Sequence, residues 1–370
     1  MKKSYTLVLF VLLFFRIGAT SRYVFNANGF ESSAANLAMG GSPIAAVNYW
    51  QNDALKSLSN PAFSSLRPGI SFSTTKYNFM DLYSSADNNS EKLYYKSGLL
   101  SIGYAGLGLV TSISPPTGRN TDIGEMAFTN LNGTVDYRHF EEKAQVHGIS
   151  VNLVDFYQNF RPGGSPLPYG ANLAIGMNIV RNTENYNVMG KERSATSSDL
   201  GILMSVALLD NDRYDINTAV GATISNPFGQ TLKRYSGYKE TEIFQRLNIA
   251  SGVSISKLNP GYTQPGLAGL VENVYSARLM AGFCEEFSDD PLILGFGAEL
   301  ALADMLYLRS GYHYDNAGKI EGFTYGGGIN LHYHNIVGLR YDIAAEDFSD
   351  KEIQSWGINL DLLALIGLMN

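Results

Sequence analysis

The sequence predicts an all-β fold, a transmembrane antiparallel β-barrel of about 14 strands with a small N-terminal helical hatch or plug. Three observations carry this prediction: segments of about ten residues in which apolar and small polar residues alternate, a composition rich in glycine and aromatic residues, and an N-terminal stretch dense in alanine and glycine. Of the 370 residues, 38 are Gly, 23 Tyr and 19 Phe, and only 16% are charged. A tilted strand needs about ten residues to cross the apolar layer of a bilayer.

The first 21 residues have the pattern of a secretory signal peptide. Two lysines precede an apolar run at 7–15, and small residues at 18–21 fit cleavage after Ser21. The apolar run is about half of the ~20 residues that a membrane-spanning helix needs. Cys284 is the single cysteine, which indicates neither disulfides nor a lipid anchor. We therefore expect an exported chain that is either soluble or a barrel.

Residues 30–66 predict a compact plug, because their many alanines and glycines let backbone segments pack closely. The run from Gly40 to Pro43 breaks one short helical pattern, and Asn60-Pro61-Ala62 ends a second, since the residue before proline avoids the helical region. Beyond this stretch the alternating segments begin. The expected units are a signal peptide at 1–21, a plug at 22–68 and a transmembrane barrel at 69–370.

Three motifs of the plug are a small-residue run ending in Gly40-Gly41, the pair Asn52-Asp53, and Asn60-Pro61-Ala62. They resemble the hatch of the FadL-like outer-membrane barrel superfamily, in particular its PorV-like branch. The chain departs from that pattern at Asn52, where an acid is usual, and at Phe63, where glycine is usual. The resemblance implies a barrel in the outer membrane of a diderm bacterium, and these hatch residues: Gly40, Gly41, Asn52, Asp53, Asn60, Pro61 and Ala62.

Alternation also indicates which face of each strand meets lipid. In 170–181, for example, Leu173 and Ile175 lie on one face and Ala174 and Gly176 on the other. The polar face is glycine-rich with few charges of both signs, which suits a closed lumen better than a solvated surface. The apolar face is therefore expected to contact membrane lipid, with a secreted soluble β-protein as the alternative. The expected lumen charges are Arg278, Glu299, Arg309, Arg340 and Asp342.

Fifteen segments qualify as strands, whereas a barrel with both ends in the periplasm needs an even number. The weakest is 147–157, because Asp155 falls on its apolar face, and without it 14 remain, the number that the resemblance implies. Short connections are expected on the periplasmic side and long polar ones opposite, apart from the long 257–272. The short connections are 210–213, 303–304 and 332–335.

Residues suited to chemistry are sparse. His332 and His334 lie two apart on one strand face, but no carboxylate or cysteine accompanies them, so we interpret them as turn residues and expect no metal site. No catalytic motif or cofactor motif occurs, which predicts a protein that is not an enzyme and holds no cofactor. The net charge of -7 argues against a nucleic-acid partner.

Three functions remain: two depend on the resemblance, and the third, an outer-membrane hydrolase, has no support in the sequence. The PorV-like branch implies an accessory of type IX secretion that binds secretion-system or cargo proteins. The FadL-like hatch implies passive uptake of hydrophobic small molecules, with Asn60-Pro61-Ala62 gating a lateral or periplasmic exit. The lumen face lacks a dense Phe, Leu and Met cluster, since Leu203, Met280 and Ile293 are isolated there. The sequence therefore favours the secretion accessory, with transport of a hydrophobic ligand as the alternative.

Overall fold

The computed structural model places 15 of its strands in one antiparallel sheet. The residues that the structure describes are 24–25, 33–50, 53–81, 92–112, 118–129, 135–160, 170–186, 191–232, 241–243, 245–259, 272–286, 292–315, 320–333, 336–347 and 352–361. The strands are β1 (Val24–Phe25), β2 (Gly69–Asp81), β3 (Lys92–Tyr104), β4 (Leu107–Thr111), β5 (Gly118–Thr129), β6 (Val135–Asn152), β7 (Asn172–Tyr186), β8 (Lys191–Asp210), β9 (Tyr214–Ser225), β10 (Thr231–Leu232), β11 (Thr241–Ile243), β12 (Arg246–Leu258), β13 (Asn273–Glu286), β14 (Leu292–Leu302), β15 (Leu306–Asp315), β16 (Ile320–Tyr333), β17 (Val337–Glu346) and β18 (Glu352–Leu360).

The sheet closes into a barrel because β2 pairs with β3 on one side and with β18 on the other. Strands β4 and β5 both lie between β3 and β6, so together they fill one position of the wall. The barrel therefore has 14 strand positions, and the predicted fold class is confirmed.

The segment 147–157 that we discarded as a strand divides into two elements. Its first part is the end of β6, and a helix follows at Leu153–Phe160, which we call α3. Asn152 stops the strand: its side-chain oxygen accepts a hydrogen bond from Val154 N, and its Nδ2 donates to Asp155 Oδ2 at 2.7 Å. The failed alternation at Asp155 marks the change from strand to helix periodicity. The prediction that no part of 147–157 is a strand was therefore wrong, because 147–152 belongs to β6, although the predicted total of 14 strands was right.

The outer face of the barrel is apolar. Ile175 and Ile358 expose 42% and 54% of their surface, whereas the residues next to them in sequence, Gly176 and Gly357, face the lumen. In β14 and β17 buried and exposed residues alternate almost without exception. A closed barrel with an apolar outer face is the architecture of outer-membrane proteins, and this protein therefore lies in an outer membrane.

The short turns lie at one end of the barrel, as expected for the periplasmic side. They join β3 to β4, β8 to β9, β14 to β15 and β16 to β17. Ala105, Ala303 and Asp304 adopt positive φ values of 51° to 54°, which these tight turns require.

A plug of short helices fills the lumen. It consists of α1 (Ala34–Leu37), a 3₁₀ turn at Ser42–Ile44, α2 (Lys56–Ser59) and a 3₁₀ helix at Pro61–Ser65. Among the described residues, none of the helices is long and apolar enough to cross a membrane. The expected signal peptide at 1–21 and the hatch residue Asn52 lie outside the described residues.

A small three-stranded sheet, which we call the cap, combines β10 and β11 of the long connection between β9 and β12 with the N-terminal strand β1. In it β11 pairs antiparallel with β10 and parallel with β1. Asn226, at φ 49°, holds this connection, because its side chain bonds to Gln230 and to Ile243 O. The connection between β9 and β12 lies at the barrel end opposite the short turns, so the cap is at the extracellular end. There Leu232 and Ile243 face the interior.

Candidate functional site

The hatch glycines touch the barrel wall directly. Gly40 and Gly41 have φ values of 99° and 79°, which glycine adopts without strain. A Cβ on Gly40 would lie 2.8 Å from Phe296 O, and Gly40 N donates to Thr324 Oγ1 at 3.0 Å. Gly40 O lies 3.2 Å from His313 Nδ1. The backbone of the plug therefore packs against strands β14 to β16.

The Asn60-Pro61-Ala62 motif anchors the plug to the opposite wall. Asn60 is fully buried and caps the 3₁₀ helix by accepting from Ala62 N at 3.0 Å. Its Nδ2 donates to Ala46 O at 2.8 Å and to Ile202 O of β8 at 3.2 Å. Any side chain on the wall glycines opposite, Gly176 and Gly201, would collide with this motif. The absence of side chains at Gly176 and Gly201 therefore allows the plug to pack against the wall.

A chain of buried charges crosses the wall from β13 to β17 and ends on the plug. Arg309 lies 2.7 Å from Glu299 through Nε and 2.7 Å from Asp342 through its terminal nitrogen. Arg278 pairs with Glu299, and Arg340 pairs with Asp342. Arg340 also reaches the hatch residue Asp53, at 2.7 Å. The five expected lumen charges therefore form one alternating series, and Asp53 joins the plug to it.

Lys56 is a buried amine of the plug beside this series. It is 1% exposed, and its Nζ has no hydrogen-bond partner among the described residues. Burial lowers the pKa of Lys56 well below its usual range and nearby Arg340 lowers it further, although Asp53 raises it. The ammonium form is therefore disfavoured at this position.

An apolar cluster lies on the other side of the lumen, built from plug residues, cap residues and mostly valine and alanine of the wall, and not from the dense Phe, Leu and Met group considered from the sequence. Three plug residues, five lumen-facing residues of β3, β4, β6 and β7, and two cap residues pack together. This apolar cluster consists of Ala54, Leu55, Leu58, Leu99, Val110, Ala144, Val146, Val180, Leu232 and Ile243. Leu203 and Met280, which we took as isolated, pack with the plug in a second cluster that includes Met39 and Ile44.

The wall beside the apolar cluster is interrupted. Leu100 of β3 pairs with Thr111, the last residue of β4, whereas Gly98 pairs with Gly118, the first residue of β5. A step of two residues on β3, from 98 to 100, thus corresponds to a step of seven residues on the paired strands, from 118 to 111. The ladder of hydrogen bonds therefore stops at the end of β4 and restarts at the beginning of β5. Val110 belongs to the apolar cluster on the inside of this point.

A recess of 420 Å³ lies on the outer face at the same point. Six outward-facing apolar residues form most of its lining, and Val110, Thr111, His147 and Gly148 complete it. A Cβ on Gly148 would lie 2.7 Å from Val110 Cγ2, so the absent side chain makes room for the valine. We call this the outer recess. The outward-facing residues are Leu100, Ile102, Leu109, Ile149, Met177 and Ile179.

The periplasmic end of the lumen holds a cavity of 410 Å³ with a mostly polar lining. Arg278 and Arg340 of the charge series lie in its lining, and Trp50 and Arg67 close it on the plug side. Arg67 donates to Trp50 O at 2.7 Å. His332 also lines this periplasmic cavity, while His334 lies outside the described residues.

No protein-family model and no curated protein matches the sequence. Several solved outer-membrane channels are similar in fold. The toluene transporter TodX of Pseudomonas putida is 11% identical with a TM-score of 0.42, and the match covers 89% of this chain and 96% of TodX. A TodX mutant described as a monoaromatic hydrocarbon channel is 11% identical with a TM-score of 0.47, and the match covers 90% of this chain and 99% of the mutant. The monoaromatic hydrocarbon channel CymD is 9% identical with a TM-score of 0.42, and the match covers 89% of this chain and 96% of CymD. Likeness at this level carries no inference about function.

The apolar cluster is the part of the site that sequence reasoning missed. The sequence argument considered only Phe, Leu and Met on the lumen face, whereas the barrel assembles the cluster from one or two residues per strand together with the plug and the cap. A usable signal was present: on its own strand face Val146 lies between Ala144 and Gly148, and Val180 lies between Asn178 and Asn182. Such exceptions in strands that prove to be neighbours indicate an apolar region of the lumen.

Proposed function

We propose that this protein is a passive route for hydrophobic small molecules across the outer membrane, with a lateral exit through the barrel wall. The observation that carries the proposal is the position of Val110. This residue belongs both to the apolar cluster inside the barrel and to the lining of the outer recess. The same valine therefore contacts the apolar interior and lines a recess on the membrane side of the wall.

The entrance to this route is the cap. Leu232 and Ile243 are almost fully buried and extend the apolar cluster to the extracellular end. Leu55 and Leu58 of the plug belong to the same cluster. An uncharged ligand that passes the cap would stay in contact with apolar side chains as far as Val110, which keeps its transfer free energy favourable.

The periplasmic end of the lumen suits such a ligand poorly. Below the plug it would meet Arg278 and Arg340 and a cavity lined mostly by polar groups. Moving an apolar molecule into this space gains less apolar contact than in the apolar cluster and disturbs buried ion pairs. The lateral exit that the hatch resemblance allowed is therefore favoured over the periplasmic one.

The test measures uptake of the uncharged fluorescent probe N-phenyl-1-naphthylamine by intact cells that carry the wild-type chain, a variant or an empty vector. Val110→Phe fills the point where the apolar cluster meets the outer recess, so we expect uptake to fall to the empty-vector rate. Val110→Ala removes bulk there, and uptake should equal or exceed that of the wild type.

Val220→Phe is the matched control, because Val220 is 48% exposed on the outer face of β9, away from the outer recess. It should leave uptake unchanged. Equal uptake by Val110→Phe and the wild type, at equal amounts of folded barrel in the outer membrane, would overturn the lateral route.

The secretion-accessory function stays a prediction from the PorV-like resemblance. In the part of the chain that the structure describes, we identify no surface that favours a secretion partner over lipid. Purification of the intact barrel from detergent-solubilised envelopes separates the two functions. Co-purifying secretion components together with unchanged probe uptake would favour the accessory.

A further inference from the structure

Helix α3 carries an exposed apolar face at the periplasmic rim of the barrel. Leu153, Phe156 and Phe160 expose 42%, 37% and 57% of their surface, and the rings of Phe156 and Phe160 lie 4.6 Å apart. Positions i, i+3 and i+7 share one side of a helix, so these three residues form a single stripe. The polar residue Gln158 falls on the opposite side of the helix.

The helix is fixed to the barrel by its polar side. Asn152, which faces the lumen, donates through Nδ2 to Asp155 Oδ2 at 2.7 Å and to Asn172 Oδ1 of β7 at 2.9 Å. The turn between β3 and β4 supports the start of the helix, since a Cβ on Gly106 would lie 2.5 Å from Phe156 N. These contacts turn the polar side of α3 toward the end of the lumen and the apolar stripe outward.

The stripe continues the lipid-facing surface of the barrel. Leu153 follows the outward-facing Ile149 on β6, at the same strand parity. Tyr104 and Leu107, on either side of the supporting turn, are 59% and 42% exposed. The apolar outer surface therefore extends from the strands onto α3 without a polar break among these residues.

We propose that α3 lies in the interfacial layer of the periplasmic leaflet, with Leu153, Phe156 and Phe160 in contact with phospholipid acyl chains. Amphipathic helices with aromatic residues on one face bind at this depth, and aromatic residues belong to the rims of membrane barrels. Lipid is the occupant because the stripe is continuous with a surface that already contacts lipid. The inference does not depend on transport.

Single-cysteine spin labelling tests this placement. The background is Cys284→Ser, and nitroxide labels are placed at Phe156→Cys, Phe160→Cys and the matched control Gln158→Cys on the opposite side of the same helix. In phosphatidylcholine and phosphatidylglycerol vesicles, oxygen relaxes labels in lipid and a neutral nickel chelate relaxes labels in water. We expect the oxygen-to-nickel ratio at 156 and 160 to exceed that at 158 at least threefold.

A second measurement uses the unmodified chain. A membrane-soluble aryl diazirine, activated by light in the same vesicles, should add to Phe156 and Phe160 but not to Gln158 when the peptides are read by mass spectrometry. Equal oxygen-to-nickel ratios at 156 and 158, or no diazirine addition to α3 while Ile149 is labelled, would overturn the proposal.

Discussion

On one side of the lumen, strands β13 to β17 carry the charge series that reaches the plug, whereas on the other side β3 to β7 carry the wall residues of the apolar cluster. The charged wall reaches the plug through the Arg340 to Asp53 pair at 2.7 Å. The apolar wall packs against Leu55 and Leu58, supported by a hydrogen bond from Asn178 to Ser57 O at 2.8 Å. The strand order places these two walls roughly opposite each other.

The difference indicates how a sealed barrel can pass one class of molecule. Buried ion pairs depend on exact geometry, so the charged wall fixes the position of the plug. Apolar contacts are non-directional, and a hydrophobic ligand can replace them with contacts of similar strength. The wall that can yield to an apolar ligand is also the wall that is interrupted at Thr111. Four substitutions test this division, in order of decreasing expected effect.

The largest loss is expected from Arg309→Met. Arg309 lies between two buried carboxylates, Glu299 and Asp342, and its removal leaves excess negative charge in the wall. Removing one partner of a buried pair costs about 3–5 kcal/mol. The free energy of unfolding in detergent, from denaturant titration, should fall by that amount.

Arg213→Met is the control for Arg309→Met, because Arg213 lies exposed in a periplasmic turn. It should change the free energy of unfolding by less than about 0.5 kcal/mol. Equal effects of the two variants would mean that the charge series does not stabilise the wall.

The apolar wall is tested by Leu55→Ala. Leu55 is fully buried in the apolar cluster, and truncating a buried leucine costs about 3 kcal/mol through lost transfer energy and the cavity left behind. Thermal unfolding in detergent should show a lower midpoint. Leu308→Ala is the control, since Leu308 is 62% exposed on the lipid face. A midpoint no lower than that of Leu308→Ala would count against a packed apolar contact between plug and wall.

The link between plug and charged wall is tested by Asp53→Asn. The amide keeps the shape but loses the charge that Arg340 contacts, which should weaken the plug by about 2 kcal/mol. In planar bilayers we expect more frequent ion-conducting openings than in the wild type. Asp347→Asn removes an exposed carboxylate and should conduct like the wild type. Unchanged conductance in Asp53→Asn would show that other contacts seat the plug.

The sequence predicts the barrel well because alternation is a local property. The outward position of Ile175 beside the lumen-facing Gly176 follows from a period of two, whatever the rest of the chain does. The same rule failed at Asp155, where a helix of only eight residues follows a strand directly. A helix this short has too few turns for its periodicity to stand out.

The candidate site is less predictable because it depends on which strands become neighbours. The lumen charges could be chosen one by one, but their alternating order and their connection to Asp53 arise from register across β13 to β17. The apolar cluster likewise combines Leu99, Val146 and Leu232 from distant parts of the chain. Separations of this size leave no local pattern.

The smallest effect, and the one of opposite sign, is expected from Lys56→Met. Lys56 belongs to the plug and not to a membrane-spanning strand, and burial followed by the nearby Arg340 lowers its pKa well below the value of about 10.4 in an unfolded chain. Between these two values the unfolded chain binds more protons, so the stability of the wild type should rise with pH up to about 10.

Methionine has a similar shape and no charge to desolvate, so Lys56→Met should stabilise the plug by about 1 kcal/mol at neutral pH and flatten the rise with pH. Thermal midpoints in detergent at several pH values measure both effects. Lys76→Met, at an exposed position of β2, should keep the slope of the wild type. If the thermal midpoint of Lys56→Met rises with pH as steeply as that of the wild type, a group other than Lys56 causes the rise. The desolvation of the Lys56 ammonium would then be offset by its surroundings in the plug.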